Sequence, residues 1–350
     1  LRTIAVLNQK GGVGKTTTVA NTAGALAERG YRVMVIDLDP QAHLTIHLGV
    51  DAESDGSGAY DVLCNSANIK EELLHVRENL WLLGANIDLV GAENELVSVV
   101  GREIILREAL KEVSEFFDYL IIDCPPSLGL LSLNALSAVG EVFIPIQPHF
   151  LALQGFGKLM QTVTLVGSRI NPSLKISAIL LCMYDSRTTL SSDVKSDIEQ
   201  FLENARGTDQ PWADAEIVPI HIRRNIKLAE APSFGKTIFE YEPACNGASD
   251  YQAVAEYLIG GNGDGQTQAE TEVAEQSDED DSSPEAVTEP EPRSVQEARE
   301  AAQTASEQTP DPDETAAFEY GADDMSDYER GDLDTNSDEQ DLQNRRAMGE

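Results

Sequence analysis

Asn8 to Thr18 reads N-Q-K-G-G-V-G-K-T-T-T. It holds three kinds of group that do phosphate chemistry. Glycines let backbone N–H groups turn inward around phosphate oxygens, a lysine supplies a cation, and hydroxyls ligate a hard metal. The common phosphate loop is G-x-x-x-x-G-K-[ST]. Gly14-Lys15-Thr16 fits its second half, but position 9, where the opening glycine belongs, is Gln, and beside it stands a second lysine, Lys10. By type, Lys15 reaches the β- and γ-phosphates of a nucleotide and the Thr16 hydroxyl reaches Mg2+, with Gly11, Gly12, Val13, Gly14 and Thr17 completing the cradle. Lys10 has no evident task inside its own loop.

Carboxylates able to complete such a site follow two apolar runs. Asp123 ends "YLIID" and can hold Mg2+ through water. Asp37 and Asp39 follow "RVMVI". In extended chain positions 37 and 39 point the same way, so one carboxylate can face the metal and the other a water attacking the γ-phosphate. Such water needs positioning more than strong basicity.

These groups need strand ends to present them. Strands are expected over Thr3–Leu7, Arg32–Ile36, Leu80–Leu83, Tyr119–Ile122, Val142–Ile146, Ile176–Met183 and Ile217–Ile220. Helical spacing covers Thr16–Arg29, stopped by Gly30, and a long amphipathic stretch Glu93–Phe117 with a break near Gly101. Alternation of helices with near-continuous apolar strands predicts an α/β fold: a doubly wound, mainly parallel sheet with helices on both faces. Ligands of such sheets bind at the carboxyl ends of the strands, where the loop and all three aspartates stand.

Charge divides the chain. The 350 residues carry a net charge of −36; residues 261–350 hold 28 acids against 5 bases, a net of −23, which leaves −13 for residues 1–260. The acidic segment has three aromatics, Phe318, Tyr320 and Tyr328, and too little apolar surface to offset its ordering entropy, so it reads as a disordered tail behind one large domain, 1–260. No apolar run is long enough to span a membrane, and no leader is expected ahead of a strand that starts at residue 3. Cys64, Cys124, Cys182 and Cys245 form no C-x-x-C pair and read as reduced thiols of a cytoplasmic protein. His43 and His47 have metal-pair spacing, but no third ligand is evident.

The runs "KGGVGKTTT", "VIDLDPQ", "YLIIDCPPSLGLLSLNAL", "FIPIQ", "LLCMYDSRTTL" and "RRNIKLAEAPSFGKTI" closely resemble the ParA/Soj-type partition ATPases, the deviant Walker group of phosphate-loop NTPases that also contains MinD. The resemblance covers most of residues 1–258 and is to the short form without an N-terminal helix-turn-helix. It implies that Lys10 is the signature lysine, crossing a dimer interface to the partner's phosphates while Gly11 and Gly12 leave room. Asp37 and Asp39 fall in the first switch, with Asp39 the water-positioning carboxylate, and Asp123 to Ser127 in the second. It further implies ATP and Mg2+ as cofactors, a homodimer formed with ATP, DNA binding without sequence preference, a nucleoid location, and release when a ParB-like centromere-binding partner or other cargo adaptor stimulates hydrolysis. A lysine acting in trans fits the physical reading, since it can stabilise transition-state charge as an arginine finger does.

A core of −13 needs a local basic patch for DNA; Arg187, Arg224 and Lys227 match basic family positions. Relatives usually have I-P-R-N where this chain has Ile222-Arg223-Arg224-Asn225; Arg223 and Asn225 are the expected base contacts, and with the usual proline replaced an arginine can stack on the base. "AHLT" stands for the common G-N-A-T, Phe234 where His is frequent, and the tail is an addition. The tail solubilises the protein, competes with DNA for the basic patch as a tethered polyanion, or docks a partner. The leading expectation is a positioning ATPase that segregates chromosome or plasmid DNA. Alternatives are a relative that positions a protein cargo over the nucleoid, a MinD-like membrane-cycling ATPase, disfavoured because "DLQNRRAMGE" lacks an apolar face, and a ligase using ATP to activate a small acid.

Overall fold

The computed structural model describes residues 1–52, 58–149 and 152–260. The acidic tail at 261–350 lies outside the described residues. In chain order, β1 (Arg2–Val6) leads to α1 (Lys15–Glu28), and β2 (Val33–Asp37) to the one-turn α2 (His43–His47), α3 (Ala59–Cys64) and α4 (Ile69–Glu72). The antiparallel pair β3 (Leu74–Arg77) and β4 (Leu80–Leu83) precedes α5 (Leu89–Leu96) and α6 (Ile105–Leu110). Then come β5 (Tyr119–Asp123), α7 (Leu130–Ala138), β6 (Glu141–Ile146), α8 (Ala152–Arg169), β7 (Lys175–Tyr184) and α9 (Thr189–Ala205). The short β8 (Glu216–Ile217) and β9 (Ile222–Arg223) are followed by α10 (Ile226–Glu230), α11 (Ile238–Tyr241) and α12 (Asn246–Gly260).

The nine strands run in the order β3-β4-β2-β5-β1-β6-β7-β8, with β9 also on β7, and β3–β4 is the antiparallel pairing. Alternate residues of each strand feed separate cores. Ile4, Val6, Val33, Val35, Ile121 and Phe143 pack with α1, α2 and α12 on one face. Ala5, Met34, Ile36, Leu120, Ile122 and Ile144 pack with helices α5 to α9 on the other. A strand covered on both sides has no polar face, which is why "VMVID" and "YLIID" are buried throughout. The doubly wound parallel sheet expected from the sequence is present. Among the described residues no helix is long and apolar enough to cross a membrane.

Three expectations change in detail. The amphipathic stretch Glu93–Phe117 is broken at Gly101 as expected, but into shorter pieces: α5 ends at Leu96, α6 spans Ile105–Leu110, and a 3-10 turn covers Ser114–Phe116. Gly101 takes a left-handed φ of 75°, which an α-helix cannot continue through. The buried Asn134 of α7 fastens the break: it donates to Arg102 O at 2.7 Å and accepts from Leu106 N at 3.1 Å. The strand expected over Ile217–Ile220 is only Glu216–Ile217, and β3 was not expected, because its half-exposed residues carry no apolar run.

Candidate nucleotide site

β1 delivers the chain to the loop, and Gly14 caps α1 with a left-handed φ of 93°. Gly12 is also left-handed, at 73°. A β-carbon on Gly11 or Gly12 would meet nothing within 4 Å, so the loop borders open space. The first turn of α1 carries no acidic residue and no side-chain cap, which leaves its N–H groups and positive end available to an anion. Val13 is buried beneath the loop, while Thr17 joins Gly11, Gly12, Gly14, Lys15 and Thr16 in lining a cleft of about 900 Å³.

Lys15 is 7% exposed and its ammonium donates to Lys10 O at 3.2 Å. Burial lowers its pKa, opposed by the charges of Asp123 and Asp39. Thr16 Oγ1 donates to Asp123 Oδ2 at 2.6 Å, joining the loop to the end of β5. The other oxygen, Asp123 Oδ1, is buried without a hydrogen-bond partner among the described residues. Burial, and then the charge of Asp37, raise the Asp123 pKa well above the ordinary carboxylate range. An orphaned carboxylate oxygen beside a threonine hydroxyl is a hard-oxygen donor set short of a cation, and fits Mg2+.

The two acids after β2 part company. Asp37 pairs in register with Asp123 and is fully buried. Its Oδ2 accepts from Thr45 N at 2.9 Å and Thr45 Oγ1 at 2.8 Å, and its Oδ1 from Asp39 N at 3.1 Å. Burial raises its pKa to about 6 against the pull of those bonds. Asp37 thus spends its carboxylate bracing the turn into α2, while Asp39 lines the cleft and caps Gln41 N at 3.0 Å. The same-side geometry expected of an extended chain fails because β2 ends at Asp37 and the chain turns there.

Met183, Ile222, Arg223, Asn225, Leu228 and Tyr251 also line the cleft. Arg223 commits its guanidinium to Asp250 of α12, with Nη2 at 2.6 Å from Oδ1, and its own N–H donates to Oδ2 at 3.0 Å. Asn225 caps α10, accepting from Lys227 N at 2.8 Å. Lys10 stands at the mouth, exposed, with its ammonium turned away from its own cradle.

An AAA-domain family matches residues 1–176. The sporulation initiation inhibitor protein Soj of Bacillus subtilis (strain 168) is 42% identical over 253 residues, covering 72% of this chain and 96% of that protein. The chromosome partitioning protein ParA of Myxococcus xanthus (strain DK1622) is 43% identical over 260 residues, 74% of this chain and 88% of that protein. The chain belongs to the ParA/Soj-type partition ATPases. Among solved structures, a cobyrinic acid a,c-diamide synthase from Mycobacterium smegmatis with bound ADP and magnesium is 39% identical, with a TM-score of 0.63 over 74% of this chain and 94% of that one.

In this ParA/Soj-type chain the three basic residues expected to meet DNA lie outside the cleft lining. Arg187 pairs with Asp185 at 3.0 Å and Lys227 with Glu230 at 3.0 Å. Arg224 is exposed and makes no ion pair among the described residues, although its charge acts on Asp185. Sequence reasoning missed Thr45, Asp250 and His149. Thr45 stands in the "AHLT" departure, a signal that a polar residue is retained there; Asp250 and His149 carried none.

Proposed function

We propose that residues 1–260 form an ATPase that positions DNA or another cargo by a nucleotide-dependent cycle of dimerisation. ATP lies in the cleft, phosphates in the Gly11–Thr17 cradle against Lys15 and base toward Arg223 and Asn225. Bound Mg2+ would be held by Thr16 and, through water, by Asp123, and would supply charge neutralisation at the phosphates. Asp37, expected among the metal ligands, has its carboxylate committed to Thr45 and Asp39 N and braces the first switch from behind the cleft instead. Asp39 positions the attacking water. Lys10 acts on the phosphates of a second copy, so ATP closes the dimer, the dimer binds DNA through Arg187, Arg224 and Lys227, and an adaptor of the ParB kind stimulates hydrolysis and release. The protein works on the nucleoid.

The observation that carries this reading is the division of labour between the lysines. Lys15 is buried in the cradle, and Lys10 is exposed beside it with its ammonium elsewhere. Lys10→Ala should abolish ATP-dependent dimerisation or hydrolysis, measured by size-exclusion chromatography with ATP and by phosphate release. Wild-type behaviour in both would refute the role in trans.

The 39% identity to a diamide synthase supports a second reading, ATP-driven activation of a small acid. Turnover that requires a carboxylic acid and ignores DNA would favour it.

A further inference from the structure

Gln9 and Lys10, where the loop departs from the common pattern, stand near Gly155 of α8 and His149 after β6. Gln9 Oε1 lies 3.9 Å from where a β-carbon on Gly155 would stand. Lys10 Nζ is in contact with His149 Nε2. The flanking backbone is tied down on both sides. Lys10 N donates to Asn8 Oδ1 at 3.0 Å, Asn8 Nδ2 donates to Pro145 O at 2.7 Å, and His149 N donates to Gln147 O at 2.9 Å. Loop mouth and β6 exit are therefore one braced unit, across which the two side chains meet.

We propose that His149 is a positioning residue for Lys10: its neutral imidazole holds the Lys10 ammonium beside the end of β6 in the single chain, and protonation of the ring releases it. This rests on the reading of Lys10 as the lysine that acts in trans.

An imidazole with its proton on Nδ1 offers the Nε2 lone pair to an ammonium N–H. An imidazolium has no lone pair and repels Lys10. Burial, and then the Lys10 charge, lower the His149 pKa, which favours the accepting form near neutrality. Lys10 is the charged side chain that acts on this ring, and residues 150–154, Phe-Leu-Ala-Leu-Gln, bring no titratable group. Lys15 is occupied with the Lys10 carbonyl. A held Lys10 must leave His149 before it can reach a second copy, so the contact opposes association modestly, as an exposed side-chain hydrogen bond does.

Two measurements on the full chain test this. In the nucleotide-free protein, a histidine NMR titration of Lys10→Ala should show the His149 pKa raised relative to wild type. ATP-induced association, followed by light scattering, should occur at roughly threefold to tenfold lower protein concentration in His149→Ala than in wild type at pH 7.5. His149→Gln keeps an acceptor and cannot titrate, so it should remain held. Wild type should approach His149→Ala as pH falls toward 5.5, measured against the Gln variant, which absorbs all other pH effects. An unmoved His149 pKa in Lys10→Ala overturns the contact. A moved pKa with His149→Ala associating as wild type overturns the positioning role. If Lys10→Ala itself associates normally, the trans reading falls and takes the functional half of the proposal with it, while the titration still reports the contact.

Discussion

Replacing Thr45 by Val keeps its shape and deletes one hydroxyl. That hydroxyl donates to Asp37 Oδ2 at 2.8 Å and accepts the Ala85 N–H at 2.9 Å, so it joins the end of β2 to the end of β4. Asp37, Thr45 and Ala85 are all buried. A hydrogen bond to a charged acceptor contributes ~1.5–3 kcal/mol, and leaving the Ala85 N–H unsatisfied costs a further ~1–3 kcal/mol. Thr45→Val should therefore destabilise the fold by roughly 3–5 kcal/mol, a large part of the ~5–15 kcal/mol of a typical domain. Urea denaturation at pH 7.5 measures it, and a cycle with Asp37→Asn should return a coupling of ~1.5–3 kcal/mol for the pair. The deficit should also shrink at pH 5. The folded-state pKa of Asp37 is raised to about 6 from 3.8, so the folded protein takes up this proton first and gains stability as pH falls between those values. The Thr45 hydroxyl bond opposes that rise and is the one the variant loses, so the variant gains more. A deficit under ~1 kcal/mol with no pH dependence would show that Asp37 is not held by this hydroxyl.

His47 is buried on α2 with Nε2 unpartnered, and burial lowers its pKa from 6.5 to about 4. Its contribution is complete above pH 6.5 and is lost as pH falls toward 4, by roughly 2 kcal/mol at pH 5; denaturation of His47→Gln should be less acid-sensitive by that amount, and equal slopes would contradict the burial argument. Asp123→Asn removes an uncompensated buried carboxylate, so thermal stability without metal should hold or rise while Mg2+ affinity falls roughly 10–100-fold by calorimetry with nucleotide; unchanged affinity would remove Asp123 from the metal shell. Arg224→Glu should weaken binding to every DNA sequence and flatten the dependence of affinity on salt, and an unchanged salt slope by fluorescence anisotropy would take Arg224 off the DNA surface.

The site was legible in the sequence where its chemistry is local. The cradle from Gly11 to Thr17 is one turn of backbone between a strand and a helix, and residue order alone predicts it. Asp123 was legible for the same reason, since it ends a strand that neighbours β1. What sequence could not supply is the direction of a side chain once the chain turns. Asp37 and Asp39 look equivalent in extended geometry, yet one faces Thr45 eight residues on and the other the cleft. Arg223 read as a stacking group, and finds Asp250 on the last helix. The break expected near Gly101 is there, but the helical pieces on either side are shorter than the amphipathic spacing suggests, because that spacing survives interruption: Leu96, Leu106 and Leu110 stay buried in one core across the left-handed Gly101.

The geometry also constrains how the cycle can be controlled. A phosphate loop that carries its only lysine in the cradle is complete as soon as nucleotide binds. Here Lys15 lies in the cradle while the Lys10 ammonium rests on His149. On the proposed reading, Lys10 adds a requirement that one copy does not meet for itself, and nucleotide binding and catalytic completeness would be separate events. If Lys10 acts in trans as proposed, such an ATPase would be slow alone, and release of Lys10 from His149 would govern how readily a second copy is engaged.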